Sequence, residues 1–94
     1  MKLYEAMKVW EIALFMIKNK GYKIGKEMDM ESGEWLGFTA IKDKNKYFGH
    51  TPISLLGIIN IAEEYGENWK KIETGNLYGS ILKIENKTEF IWLF

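Results

Sequence analysis

The chain has 94 residues, of which 47% are hydrophobic and 28% charged, and it contains no cysteine and one histidine. This length predicts one domain, and the absence of cysteine excludes disulfides, thiolate metal sites and a cysteine nucleophile. All 13 basic residues are lysines and they balance 13 acidic residues, so no guanidinium group is present for bidentate recognition of phosphate or guanine.

The sequence predicts a cytoplasmic protein without membrane contact. Glu5, Lys8 and Glu11 interrupt the segment that would have to be the apolar core of a signal peptide. The longest apolar run, Ile12–Ile17, is far shorter than the roughly 18 residues that a membrane-spanning helix needs.

The first predicted element is a helix over Leu3–Asn19, ended by Gly21. Its buried arc follows helical spacing and consists of Leu3, Ala6, Met7, Trp10, Ala13, Leu14 and Ile17. The opposite arc carries Tyr4, Lys8, Glu11 and Phe15. Two aromatic residues on this charged face predict a contact surface for a partner.

Three strands follow in the prediction, over Tyr22–Met30, Trp35–Ile41 and Tyr47–Gly49. The second is the clearest, because apolar residues alternate along it. The polar segments Glu31–Glu34 and Asp43–Lys46 predict the two turns.

A second helix is predicted from the segment that follows His50. Thr51 is a good N-cap, Pro52 loses no hydrogen bond at the first helical position, and Gly66 can end the helix in a left-handed conformation. Gly57 lies in the middle of this helix, and we expect it to allow close approach of the sheet or, alternatively, of a partner. The predicted buried arc consists of Leu55, Ile58, Ile59, Ala62 and Tyr65.

The C-terminal third is predicted to form a hairpin of strands Leu77–Glu85 and Thr88–Phe94. The connector over Asn68–Gly75 carries a short strand at Lys71–Glu73 in this interpretation. The whole prediction is a single α+β domain over residues 1–94 in the order α-β-β-β-α-β-β. An antiparallel sheet of about five strands has both helices on one face.

The order helix, three strands, helix resembles the double-stranded-RNA-binding domain in topology. Members of that family grip phosphate with lysines at the start of the second helix. The corresponding segment here is Gly49-His50-Thr51-Pro52-Ile53, so the phosphate grip is absent. The same order and length are also similar to small anti-CRISPR inhibitors of phages, which implies an inhibitor that performs no chemistry.

No catalytic, cofactor or metal site is predicted. A pair of Ser54 and His50 has no aspartate nearby in sequence to orient the imidazole ring, and His50 is interpreted as a helix-entry residue bonded to local backbone. Glu63, Glu64 and Glu67 are interpreted as a solvated helix end, over which Lys70 or Lys71 folds. No glycine-rich phosphate loop occurs in the sequence.

The expected function is therefore that of a small, non-enzymatic, protein-binding modulator, a bacterial or phage inhibitor of anti-defence type that occludes a partner protein. A homodimer is also compatible with the sequence, and Phe90–Phe94 is apolar on both faces, which fits either a core strand or an interface. Two alternatives are a toxin-immunity protein and a nucleic-acid-binding module that uses the lysine-rich turns around Lys44. The residues assigned to partner binding are Tyr4, Lys8, Glu11, Phe15, Ile53, Leu56, Trp92 and Phe94.

Overall fold

The structure, a computed structural model, describes Met1 and residues 6–83. The described elements are α1 (Met7–Asn19), β1 (Lys23–Met28), β2 (Trp35–Lys42), β3 (Asn45–Gly49), α2 (Pro52–Tyr65), a 3-10 helix (Gly66–Lys71) and α3 (Leu77–Leu82). The order of the first five elements is the predicted one.

The three strands form one antiparallel sheet in the order β1-β2-β3. The Asp29 carboxylate accepts a hydrogen bond from the Glu31 N–H at 3.0 Å in the first turn, which is typical of a short aspartate at a turn. The second turn has only two residues, Asp43 and Lys44, and Asp43 adopts a φ of 55°. The predicted four-residue turn is therefore too long, because Asn45 already pairs with Lys42.

The core lies between one face of the sheet and the two long helices. Ile24, Ala40 and Tyr47 are neighbours in register across the three strands, so their side chains share that face. Ile17 of α1 and Ile59 of α2 pack against it in the same buried cluster. The α+β class and the placement of both helices on one face are thus as predicted.

The start of α2 is fixed by a cap and by a glycine. The Thr51 hydroxyl accepts a hydrogen bond from the Ser54 N–H at 3.1 Å, and Pro52 follows at the first helical position. A Cβ on Gly49 would lie 2.5 Å from the backbone nitrogen of Leu55, so only glycine lets β3 end so close to α2. Gly66 ends the helix with a φ of 58°. Both predicted ends of α2 are confirmed.

The prediction of five strands is wrong for the described residues, which contain three. Leu77–Leu82, predicted as part of a strand, is helix α3, and Lys71 belongs to the 3-10 helix rather than to a strand. The apolar residues of α3 recur at Leu77, Ile81 and Tyr78, Leu82, which is helical spacing that also fits a short apolar strand. The predicted strand Thr88–Phe94 and the residues 3–5 of the first predicted helix lie outside the described residues.

Four residues of the predicted buried arcs are exposed in the structure. Met7 is 72% exposed, Ala6 just before α1 is exposed too, and so are Ile58 and Tyr65 of α2. No described atom lies within 4 Å of a Cβ built on Gly57. This glycine therefore does not serve close packing of α2 on the sheet, so the predicted approach of the sheet is wrong, and approach of a partner stays a prediction.

Candidate functional site

An apolar groove lies beside the core, between α2, β3 and the 3-10 helix. We call it the α2 groove; its volume is about 280 Å³, and it is lined by Tyr47, Ile58, Ile61, Ala62 and Trp69. Pro52, Leu55 and Ile59 of the same helix are buried. The helix therefore carries two adjacent apolar stripes, and only the first is used by the core.

One wall of the groove is formed by the 3-10 helix that begins at Gly66. The positive φ of this glycine ends α2, and the 3-10 helix that follows places Trp69 beside Ile61 and Ala62. The Trp69 side chain is 52% exposed, and the ammonium of Lys70 lies 5.3 Å from the centre of its ring. Protein interfaces typically have aromatic residues at the centre and charged residues at the rim. The exposed indole of Trp69 and the neighbouring Lys70 match this composition.

A second exposed surface lies on α1, where three of the residues assigned to partner binding meet. Lys8 and Glu11 form an exposed ion pair at 3.7 Å, and both line a shallow depression of about 300 Å³ together with Ile12 and Phe15. The Phe15 side chain is 62% exposed. The sequence pattern thus located an exposed aromatic on this helix, whereas Tyr4 lies outside the described residues.

The other residues assigned to partner binding are not part of the α1 surface. Ile53 is half-buried, and Leu56 packs against the core cluster instead of forming a free apolar stripe. Trp92 and Phe94 lie outside the described residues. The α2 residues that line the α2 groove are instead Ile58, Ile61 and Ala62.

A polar cluster of Lys20, Tyr22, Lys42 and Glu63 joins the end of α1 to the sheet and to α2. The Tyr22 hydroxyl and the Lys20 ammonium donate to the two oxygens of the Glu63 carboxylate, at 3.0 and 2.8 Å. The Lys42 ammonium donates to the Lys20 carbonyl at 2.7 Å and lies 5.4 Å from the centre of the Tyr22 ring. Each of these polar groups already has a partner within the protein. The cluster therefore stabilises the fold and is not a ligand site.

The electrostatics of the cluster follow from burial and from the ion pair. Burial of Tyr22 raises the pKa of its hydroxyl to about 12, and the neighbouring Glu63 carboxylate adds to the effect. The hydrogen bond from Lys20 lowers the pKa of Glu63, and the bond from Tyr22 acts in the same direction. The tyrosine thus stays neutral and the glutamate ionised over the ordinary pH range.

His50 lies at the junction of β3 and α2, and its ring contacts β2. Its Nδ1 is 3.2 Å from the carbonyl oxygen of Leu36, and its ring meets Phe48 edge to face at 5.2 Å. The Ser54 hydroxyl lies instead 2.9 Å from that of Thr51 in the helix cap. Leu36 belongs to β2 and lies 14 positions before His50, so the prediction that His50 bonds local backbone is wrong.

The three glutamates at the end of α2 do not converge on a cation site. Within the part of the chain that the structure describes, no group of three histidine, aspartate or glutamate residues is placed to hold a metal ion. The cation paired with Glu63 is Lys20, while Lys70 lies over Trp69. The expectation that Lys70 or Lys71 folds over the three glutamates is therefore wrong for Glu63, because its lysine is Lys20 at the end of α1.

The lysine-rich turns are partly engaged inside the molecule. Lys20 and Lys42 belong to the polar cluster, and Lys46 lies 3.4 Å from Glu27. Lys18, Lys23, Lys26 and Lys44 remain exposed. Fewer cations are thus available for phosphate contacts than the sequence pattern indicated.

Sequence reasoning missed Trp69 and the exposed stripe of α2. It placed Ile58 and Tyr65 in the core and treated Trp69 as part of a connector. The signal was the number of apolar residues on α2, since Ile53, Leu55, Leu56, Ile58, Ile59 and Ile61 cover more of the helix circumference than one sheet face can bury.

Comparison with known proteins gives no relative: no family, no curated protein and no solved structure matches this chain. Among the described helices, none combines the length and the apolar character that crossing a membrane requires.

Proposed function

We propose that this chain is a protein-binding module that occludes a surface of its partner and performs no chemistry. The observation that carries the proposal is the α2 groove, whose lining is apolar and includes the exposed indole of Trp69. Tryptophan anchors at the centre of a contact frequently dominate its binding free energy.

The element that fits the groove is an amphipathic helix of a partner protein. Ile58, Ile61 and Ala62 stand at helical spacing along α2, so they form a ridge against which the side chains of a second helix can interdigitate. Lys70 on the 3-10 helix supplies a polar edge. The surface around Phe15 on α1 offers a further apolar contact for a larger partner.

Comparison of two variants in a pull-down tests this function. Ile61→Ser places a hydroxyl in the groove, whereas Met30→Ser makes the same kind of change at a residue of the β1–β2 turn that is 95% exposed. We expect wild type and Met30→Ser to capture the same protein from a nuclease-treated bacterial lysate, and Ile61→Ser to lose it. Thermal unfolding of both variants should match wild type, because neither residue is buried.

Two results would contradict the proposal. If Ile61→Ser captures the same protein as wild type, the groove is not the binding surface. If Ile61→Ser instead loses much of its thermal stability without any change in capture, the groove is filled by the chain itself.

A further inference from the structure

β1 lies at an edge of the sheet, since in the described residues it pairs with β2 alone. Lys42 and Asn45 flank the two-residue turn, so they form a hydrogen-bonded pair, and the direction of backbone groups alternates from there along β2. It follows that the N–H and C=O groups of Ile24 and Lys26 point away from β2. Such a row of outward groups is a template for pairing with another strand.

The charged side chains of β1 complement those of a second copy of β1 that runs antiparallel to it. Lys23 and Glu27 stand two residues on either side of Gly25, and all three lie on the outer face of the sheet. If a second copy of β1 pairs antiparallel with Gly25 opposite Gly25, each Lys23 lies opposite Glu27 of the other copy. Opposite charges at directly opposed positions stabilise a strand pair.

The local geometry leaves room for this pairing. Gly25 has no side chain, so the two Gly25 residues at the centre of the pair bring no side-chain clash. The Thr39 hydroxyl and the Lys46 ammonium both contact Oε1 of Glu27, at 2.7 and 3.4 Å. These contacts hold the carboxylate on the outer face and leave Oε2 for a second lysine.

The other edge strand does not share this property. β3 has the sequence Asn-Lys-Tyr-Phe-Gly and contains no acidic residue, so an antiparallel pair of two β3 strands would bring no ion pair. Charge complementarity therefore distinguishes β1 from β3 as a pairing edge.

We propose that two copies of this chain associate through β1, antiparallel and centred on Gly25, and join their sheets into one six-stranded sheet. The two-fold axis of such a pair is perpendicular to the sheet, which leaves α1 and α2 of both copies on the same side. The α2 groove takes no part in this contact, so the proposal stands or fails independently of the proposed function.

Reversing the two charges singly, and then exchanging them, tests whether Lys23 and Glu27 lie opposite each other in the dimer. Lys23→Glu places a second carboxylate opposite Glu27 in both halves of the pair, and Glu27→Lys likewise sets two ammonium groups against each other. We expect sedimentation equilibrium to show a dimer for wild type and a dissociation constant at least about tenfold weaker for each single variant. The double variant Lys23→Glu with Glu27→Lys should recover most of the affinity, because the pair is restored with its signs exchanged.

Lys26→Glu is the matched control, since it makes the same change of charge on the same strand but lies opposite Ile24 in the proposed register. It should leave the dissociation constant unchanged. A wild type that stays monomeric at every concentration would overturn the proposal. So would a dimer that neither single reversal weakens, because the contact then lies elsewhere. If Glu27→Lys fails to fold, the dissociation constant of Lys23→Glu alone tests the proposed register.

Discussion

The buried hydroxyl of Tyr22 ties together parts of the chain that are distant in sequence. Its hydrogen bond to Glu63 spans 41 positions, and its ring belongs to the core cluster. A buried phenol is tolerated only with a partner for its hydroxyl group. The first predicted strand begins at Tyr22, but an acceptor so far along the chain left no local signal.

The raised pKa of Tyr22 predicts a loss of stability in alkali. The phenol ionises near pH 10 in the unfolded chain and at about 12 in the folded protein. The unfolded state therefore releases its proton first as the pH rises, and the free energy of unfolding falls between these values by roughly 2 kcal/mol. Below pH 10 this contribution is fully present.

Tyr22→Phe should remove most of this alkaline dependence. At neutral pH it should cost about 1 kcal/mol, the usual net value of one hydrogen bond. Urea unfolding of both proteins between pH 8 and about 11.5 measures the two curves. If the free energies of unfolding of wild type and Tyr22→Phe stay parallel above pH 10, the Tyr22 hydroxyl ionises equally in the folded and unfolded states. It is then not held by Glu63.

Helix α2 shows how two identical substitutions can have opposite effects. Gly57 lies mid-helix with open space around its Cβ position, and Gly49 lies just before the helix, against the Leu55 backbone. Glycine costs a helix interior roughly 1 kcal/mol relative to alanine. A methyl group forced into a filled site costs about 1–3 kcal/mol.

We therefore expect Gly57→Ala to raise the free energy of unfolding by about 0.5–1 kcal/mol. Gly49→Ala should lower it by about 1–3 kcal/mol. Chemical denaturation of the two variants against wild type measures both. A destabilised Gly57→Ala would show that the chain covers this position after all.

The elements that sequence reasoning predicted well are those with strong local signals. Thr51, Pro52 and Gly66 mark α2 without reference to the rest of the molecule, and the alternation of β2 is visible over eight residues. Helix α3 has only six residues, and its apolar pattern fits both a helix and a strand. The exposed side of α2 depends on how much surface the sheet covers, which no local pattern contains.

The balance of charge over the molecule argues against tight binding of nucleic acid. Thirteen acidic residues offset thirteen lysines, and Lys20, Lys42 and Lys46 are held by groups of the protein itself. Affinity for a phosphate backbone depends on the number of phosphates that cations neutralise, and it falls steeply with salt. The lysines held within the protein are not free to make such contacts.

A fluorescence polarisation titration with a labelled single-stranded oligonucleotide checks this consequence. We expect weak binding at low salt and none at physiological ionic strength. Lys44→Gln, which removes one exposed lysine of the second turn, should weaken even this signal. Tight binding that persists in physiological salt would revive the nucleic-acid alternative.

The short turns of the sheet and the long span of the polar cluster together imply an order of assembly. Both strand pairs close over turns of a few residues, whereas the bonds from Lys20 and Tyr22 to Glu63 close loops of 43 and 41 positions. Long loops lose more entropy on closure, so local contacts form first. We therefore expect the two strand pairs to form before the bonds that join the end of α1 to α2.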